Sequence, residues 1–108
     1  MELLQEIHGE TTVVSISGRL DGITCADAEK TLASAVSTAG GGLVLNLSEL
    51  TYVSSAGLRV VLMTAKQLQA AQKTFAVCGL KSPVKDVFEI SGFYKIFRIT
   101  ESVTQALG

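Results

Sequence analysis

Between Gly42 and Cys78 the chain reads strand, helix, strand, and this stretch restricts the fold more than any other. Gly42 to Leu47 (GLVLNL) is a short apolar run rich in β-formers, the mark of a strand buried on both faces. Thr74 to Cys78 (TFAVC), closed by Gly79, carries the same mark. Between them the period changes from two to 3.6. Leu58, Val61, Leu62, Ala65 and Leu68 share one face of a helix expected from about Ser55 to Lys73. A strand-helix-strand unit of this length demands a parallel pair joined by a right-handed crossover. The chain is therefore α/β. Its 108 residues suit one domain, 1–108, and a hydrophobic content of 47% is enough for a real core.

The flanking segments extend this unit. Leu3 to Ile7 reads as a first strand, turned at His8-Gly9-Glu10 into a second, Thr11 to Ser17, where Thr12, Val14 and Ile16 alternate with Val13, Ser15 and Ser17. Asp21 starts a turn toward a helix. Thr24 with Asp27 has the form of a capping box, and Ala28, Leu32, Ala35, Val36 and Ala39 make an apolar helical face ending at Gly40. Pro83 opens a short helix, Val84 to Ile90, with Val87 and Ile90 expected to pack inward. Phe93, Tyr94 and Phe97 are expected to form a lid on the core, leading into a last strand, Ile96 to Ile99. Ser102 with Gln105 caps a terminal helix, Ser102 to Leu107.

Where the central strand gives way to the long helix lie two small hydroxyl residues, Ser54 and Ser55. Serine is a favoured N-cap, since its oxygen accepts from an unpaired N–H of the first turn. Ala56 and Gly57 leave the site uncovered, and a phosphate there would meet free N–H donors and the positive end of the helix dipole. From the residues alone, a plain capped helix and an anion-accepting position both stand.

Val53-Ser54-Ser55-Ala56-Gly57-Leu58 resembles the phosphorylation motif of STAS-domain proteins of the anti-sigma factor antagonist type. Gly18-Arg19-Leu20-Asp21 resembles the G-x-L-D sequence that the same family carries after its second strand. The resemblance spans essentially the whole chain. It implies a single STAS-like domain, with a mixed, mostly parallel sheet of about four or five strands and about four helices, packed mainly on one face. It also implies that Ser55 is the phospho-acceptor. Ser54 stands where the family usually has Asp and is the rival acceptor; Asn46 likewise replaces a frequent Asp. Val60 and Met63 point away from the helix's inward face, so they are either a docking surface or ordinary surface apolar residues. With Asp21, Ser54, Ala56, Gly57 and Arg59 they form the candidate partner-binding set.

The implied function is a binding module gated by phosphorylation. Proteins of this kind capture an anti-sigma factor serine kinase when unphosphorylated and let it go once phosphorylated; a serine phosphatase resets them. The alternative is a STAS scaffold or subunit of a signalling or transport complex that is never phosphorylated. The kinase would bring ATP and Mg²⁺, so no cofactor is expected on this chain.

Other chemistries find no support in the residues. Gly40-Gly41-Gly42 is followed by Leu43 and Val44 instead of the Lys-Ser/Thr of a phosphate loop. Ser55-x-Gly57 lacks the glycine of a nucleophile elbow at Val53, and the sole histidine, His8, precedes it. The carboxylates Asp21, Asp27, Glu49, Asp86 and Glu89 form no acid–base pair, so the chain reads as an enzyme's substrate and not an enzyme. Cys25 and Cys78 lack metal-ligand spacing and are expected to be buried thiols of a reducing compartment. A net charge of −1 argues against nucleic acid. No apolar run approaches bilayer length and MELLQEIHGE is no secretory signal, so a cytoplasmic setting without membrane is expected. No residue pattern points to a small-molecule site.

Overall fold

The computed structural model describes residues 1–108. In chain order the elements are β1 (Glu2–His8), β2 (Thr11–Leu20), α1 (Cys25–Thr38), β3 (Gly42–Asn46), β4 (Leu50–Val53), α2 (Ser55–Ala70), β5 (Thr74–Cys78), α3 (Val84–Ile90), a 3₁₀ turn (Phe93–Lys95), β6 (Arg98–Thr100) and α4 (Val103–Leu107). The main sheet runs β1-β2-β3-β5-β6, antiparallel at β1–β2 and parallel elsewhere. The parallel crossover required of residues 42–78 is thus present, β3 pairing with β5 in register Leu43↔Phe75 and Leu45↔Val77.

A sixth strand was not foreseen. β4 pairs with the end of β2, parallel, through Leu20↔Val53, and the register shifts between Gly18 and Arg19. Gly18, at φ +86, takes a left-handed backbone there that other residues rarely adopt. Its N–H donates to Glu49 O and its carbonyl accepts from the Thr51 hydroxyl. The first half of β2 therefore serves β3 and the last residues serve β4. At four residues, β4 is too short to carry a period of its own.

α1, α2 and α3 cover one face of the sheet, over a cluster of 19 buried residues; only α4 covers the other, where Ala106 and Val103 pack on Val13, Val44, Ala76 and Cys78. The aromatic lid is present as edge-to-face contacts, Phe88–Phe93, Phe93–Phe97 and Phe75–Phe97, with centroids 4.9–5.4 Å apart. Tyr94 stands outside it, exposed.

Several local expectations need correction. α2 ends at Ala70, not Lys73: Gln72 turns left-handed at φ +60, and the Lys73 N–H reaches back to Leu68 O at 2.8 Å, a Schellman closure without glycine. Thr24 does not cap α1 with its side chain, nor does it pair with Asp27; its hydroxyl is taken up by Arg19 O and the Asp21 N–H. α3 buries Val84 and Phe88, one turn apart, so Val87 is only half-buried and Ile90 is 88% exposed. Ile96 is exposed and β6 begins at Arg98. Cys78 is buried but Cys25 only half-buried; both are free thiols. Ser102 does cap α4, accepting from the Gln105 N–H, while Gln105 Oε1 accepts from the Glu101 N–H.

Candidate functional site

The two sequence motifs meet at one corner of the fold. The bulge at Gly18 carries the end of β2 beside β4, so Leu20 lies against Val53 and both chains leave the sheet together. β2 runs into the Asp21 loop; β4 runs into α2. The Ser54 N–H donates to Leu20 O at 3.0 Å and ties the two exits together.

Ser54 is the N-cap of α2. Its backbone is extended (φ −96, ψ 176), its Oγ accepts from the Gly57 N–H at 3.2 Å, and its carbonyl accepts the first helical bond, from Leu58, at 2.8 Å. Ser55 is the first helical residue; it is exposed, and its hydroxyl makes no hydrogen bond within the chain. The two serines therefore occupy different chemical situations: one oxygen is spent on the helix, the other is free.

Gly57 is buried. A Cβ there would stand 2.6 Å from Leu20 O and 2.9 Å from both Leu20 Cγ and Val53 Cγ2. The glycine lets the first turn of α2 press on the β2–β4 pair, so it acts through close packing and not by leaving a partner-facing gap.

Asp21 organises its loop from within. Its Oδ1 accepts from the N–H groups of Ile23 (3.0 Å) and Thr24 (3.1 Å), and Arg19 Nε lies 3.4 Å from Oδ2. These donors, the Thr24 N–H first, hold its carboxyl below the ordinary carboxylate value against a smaller opposing effect of desolvation. The Arg19 guanidinium also sits 4.1 Å from the centroid of the Tyr52 ring. The loop thus presents Ile23, 91% exposed, instead of the Asp21 carboxylate.

The candidate partner set divides by burial. Arg59 is exposed, with Asp21, Ser54, Ala56 and Met63 half-buried. Val60 is 3% exposed and Gly57 is buried, so neither is open to a second molecule. The inward face of α2 is Gly57, Val60, Val61, Thr64 and Leu68, rotated from the expected stripe; Leu58 and Leu62 are only half-buried at its side. A glycine and a threonine on that face hid it. Thr64 meets burial by donating its hydroxyl to Val60 O at 2.9 Å. Ile23 and Tyr52 were not singled out from sequence, because an isoleucine in a turn and a tyrosine in a four-residue strand carry no local signal of exposure.

Asn46, which stands where the family often has Asp, uses both ends of its amide. Oδ1 accepts from the Ser48 N–H (3.2 Å) and Nδ2 donates to Ser15 Oγ (3.3 Å), shaping the loop that leads into β4.

A bulged strand, its Asp-closed loop and a serine-capped helix thus meet at one corner of a small α/β domain. Residues 3–106 match the family model of the STAS domain. Over 102 residues the chain is 42% identical to the Bordetella bronchiseptica protein BtrV, whose name groups it with the anti-sigma factor antagonists, covering 94% of this chain and 88% of that one. An anti-sigma factor antagonist from Mycobacterium paratuberculosis superposes with a TM-score of 0.90 at 26% identity, over 98% of this chain and 90% of that one. The phosphorylated form of Bacillus SpoIIAA shares the fold, with a TM-score of 0.75 at 20% identity over 98% and 96% of the two chains. The chain belongs to the STAS domain family, within its anti-sigma factor antagonist group. These relatives are named for a regulatory role, not for catalysis. No helix of the chain is long and apolar enough to cross a membrane.

Proposed function

We propose that this chain is an anti-sigma factor antagonist that captures an anti-sigma factor serine kinase, acts in the cytoplasm, and is released when the kinase phosphorylates Ser55. The observation that carries this reading is the contrast between the two serines: Ser54 Oγ is held by the Gly57 N–H, whereas Ser55 is exposed with an unengaged hydroxyl. The kinase supplies ATP and Mg²⁺, and a serine phosphatase returns the chain to its binding form.

The switch is electrostatic. Phosphorylation adds roughly −1.5 to −2 charge and three acceptor oxygens. At the first helical position the new charge lies at the favourable end of the α2 dipole, so the domain stays folded. Inside a protein interface the same charge must be desolvated and paired. A hundredfold loss of affinity corresponds to about 2.7 kcal/mol, within the cost of one unpaired charge at such a surface. The exposed residues around Ser55, namely Arg59 on α2, Tyr52 on β4 and Ile23 on the Asp21 loop, supply the contact surface in this reading.

The test combines intact mass and binding. Incubated with its serine kinase and MgATP, the wild-type chain and Ser54→Ala gain one phosphate each, and Ser55→Ala gains none. Ser55→Asp binds the kinase about a hundredfold more weakly while keeping its circular dichroism spectrum. Phosphate uptake by Ser55→Ala but not by Ser54→Ala would move the acceptor to Ser54. No uptake by the wild type, with kinase capture retained by Ser55→Asp, would leave an unphosphorylated STAS scaffold.

A further inference from the structure

β1 (Glu2–His8) is the outermost strand of the main sheet and pairs on one side only, with β2. Its seven residues run in unbroken register, and all but Leu3 are exposed, Leu4 at 66% and Ile7 at 80%. Folded proteins guard such an edge with proline, lysine, a bulge or a very short strand, because its free N–H and C=O groups recruit another strand. β1 has none of these guards. The opposite edge differs. β6 has only three residues, and Arg98 on it is committed to Ala106 O and Gln105 O of α4.

The hairpin fixes which backbone groups of β1 are free. The turn Gly9-Glu10 leaves His8 opposite Thr11, and a two-residue loop closes on a pair that exchanges both backbone bonds. Alternation then directs the backbone groups of Glu2, Leu4, Glu6 and His8 to β2, and those of Leu3, Gln5 and Ile7 to the open edge. The phase on β2 agrees: Glu10 O accepts from the Gly42 N–H at 3.2 Å and so faces β3, not β1. Gln5 is the middle of the strand and one of the outward-pointing residues. Two copies of β1 set antiparallel about Gln5 therefore overlap along the whole strand and satisfy one another's free groups.

The side chains are self-complementary about the same point. Leu3 meets Ile7 of the second copy, Gln5 meets Gln5, and Glu2 meets His8, whose imidazole N–H is a donor for the carboxylate. Leu3 already packs against the main core, so Ile7 of the second copy extends that apolar surface across the edge. The one unlike pair is Leu4 with Glu6, and Glu6 keeps His8 of its own strand at 3.4 Å.

We propose that β1 pairs antiparallel with β1 of a second copy of this chain, about a two-fold axis at Gln5, so that one sheet runs through a symmetric dimer. The contact uses no residue of the Asp21 loop or of α2, so it forms whatever the state of Ser55. An interface of two strand edges is small, and the dimer is expected to be weak and concentration-dependent.

The test joins sedimentation velocity with amide hydrogen exchange on the full chain, from micromolar to millimolar concentration. The wild type is expected to pass from monomer to dimer across that range. As it does, the amides of Leu3, Gln5 and Ile7 should become protected, whereas those of Leu4 and Glu6 are protected throughout by β2. Gln5→Pro removes an outward N–H that β2 does not use, and should raise the dimer dissociation constant at least tenfold with the circular dichroism spectrum kept. Ile7→Lys, at an exposed position, should do the same and reads the contact even if Gln5→Pro fails to fold. The proposal is overturned if the wild type stays monomeric over the whole range, if dimerisation leaves the amides of Leu3, Gln5 and Ile7 unprotected, or if Ile7→Lys dimerises as the wild type does.

Discussion

The Ser54 N–H donates to the Leu20 carbonyl at 3.0 Å, a backbone bond between two residues 34 positions apart in sequence that joins the end of β2 to the start of α2. That bond explains why the G-R-L-D and V-S-S-A-G-L stretches form one site. Leu20 holds Ser54, its carbonyl lies over Gly57, and the next residue, Asp21, closes the neighbouring loop. The helix start, and with it the direction in which Ser55 faces solvent, is set by a strand and not by the helix alone.

The N-cap serine and the serine proposed as acceptor should separate in stability measurements. Ser54→Ala removes the bond to the Gly57 N–H and is expected to cost about 1 kcal/mol. Ser55→Ala removes no internal bond and should stay within about 0.5 kcal/mol of wild type. Urea unfolding followed by circular dichroism reads both. Equal losses would mean that the two hydroxyls share the cap.

Gly57→Ala sets helix propensity against packing. Alanine favours a helix by about 1 kcal/mol over glycine. Here its Cβ would stand 2.6 Å from Leu20 O, a rigid backbone atom, so α2 must lift off the β2–β4 pair. The expected net effect is a loss of about 1–2 kcal/mol, since overpacking of this kind costs about 1–3. A thermal melt of Gly57→Ala at or above the wild-type midpoint would contradict the close approach.

Asp21 should make the loop sensitive to acid. Its folded pKa is lowered, so its contribution is fully present above the unfolded value of about 3.9 and is lost as pH falls through the folded value. Asp21→Asn keeps an acceptor oxygen without the charge. The stability gap between wild type and this variant is expected to be constant at neutral pH and to shrink only below about pH 4. Urea midpoints measured across that range check it; a gap that widens in acid would reverse the sign.

The two thiols should differ sharply in reactivity. Cys78 is fully buried, and desolvation pushes its thiol pKa up, keeping it neutral. Cys25, at the start of α1, is half-buried. Iodoacetamide under native conditions is expected to label Cys25 first, with Cys78 reacting only on unfolding. Peptide mass mapping distinguishes the two.

The alternation of periods along the chain was sufficient for the α/β class, the parallel β3–α2–β5 crossover, the β1–β2 hairpin and the approximate extent of each helix. These are properties of near neighbours: side-chain spacing and turn chemistry act within a few residues, and so survive being read in one dimension. The resemblance of two short motifs added the family. What near neighbours could not convey was which way α2 faces. Its buried stripe includes Gly57 and Thr64, whose burial depends on Leu20 and Val53 across the fold and on a hydroxyl that closes on its own helix. The same limit hid β4, a strand only because a bulge at Gly18 bends β2 toward it. It also left Ser54 and Ser55 alike as residues, with Ser55 ranked first as acceptor by the resemblance alone. They are adjacent and chemically identical in sequence, and they differ only once the Leu20 carbonyl draws the Ser54 backbone into an extended cap and leaves Ser55 to begin the helix. Contacts between distant residues draw that distinction, and they form only when the sheet closes.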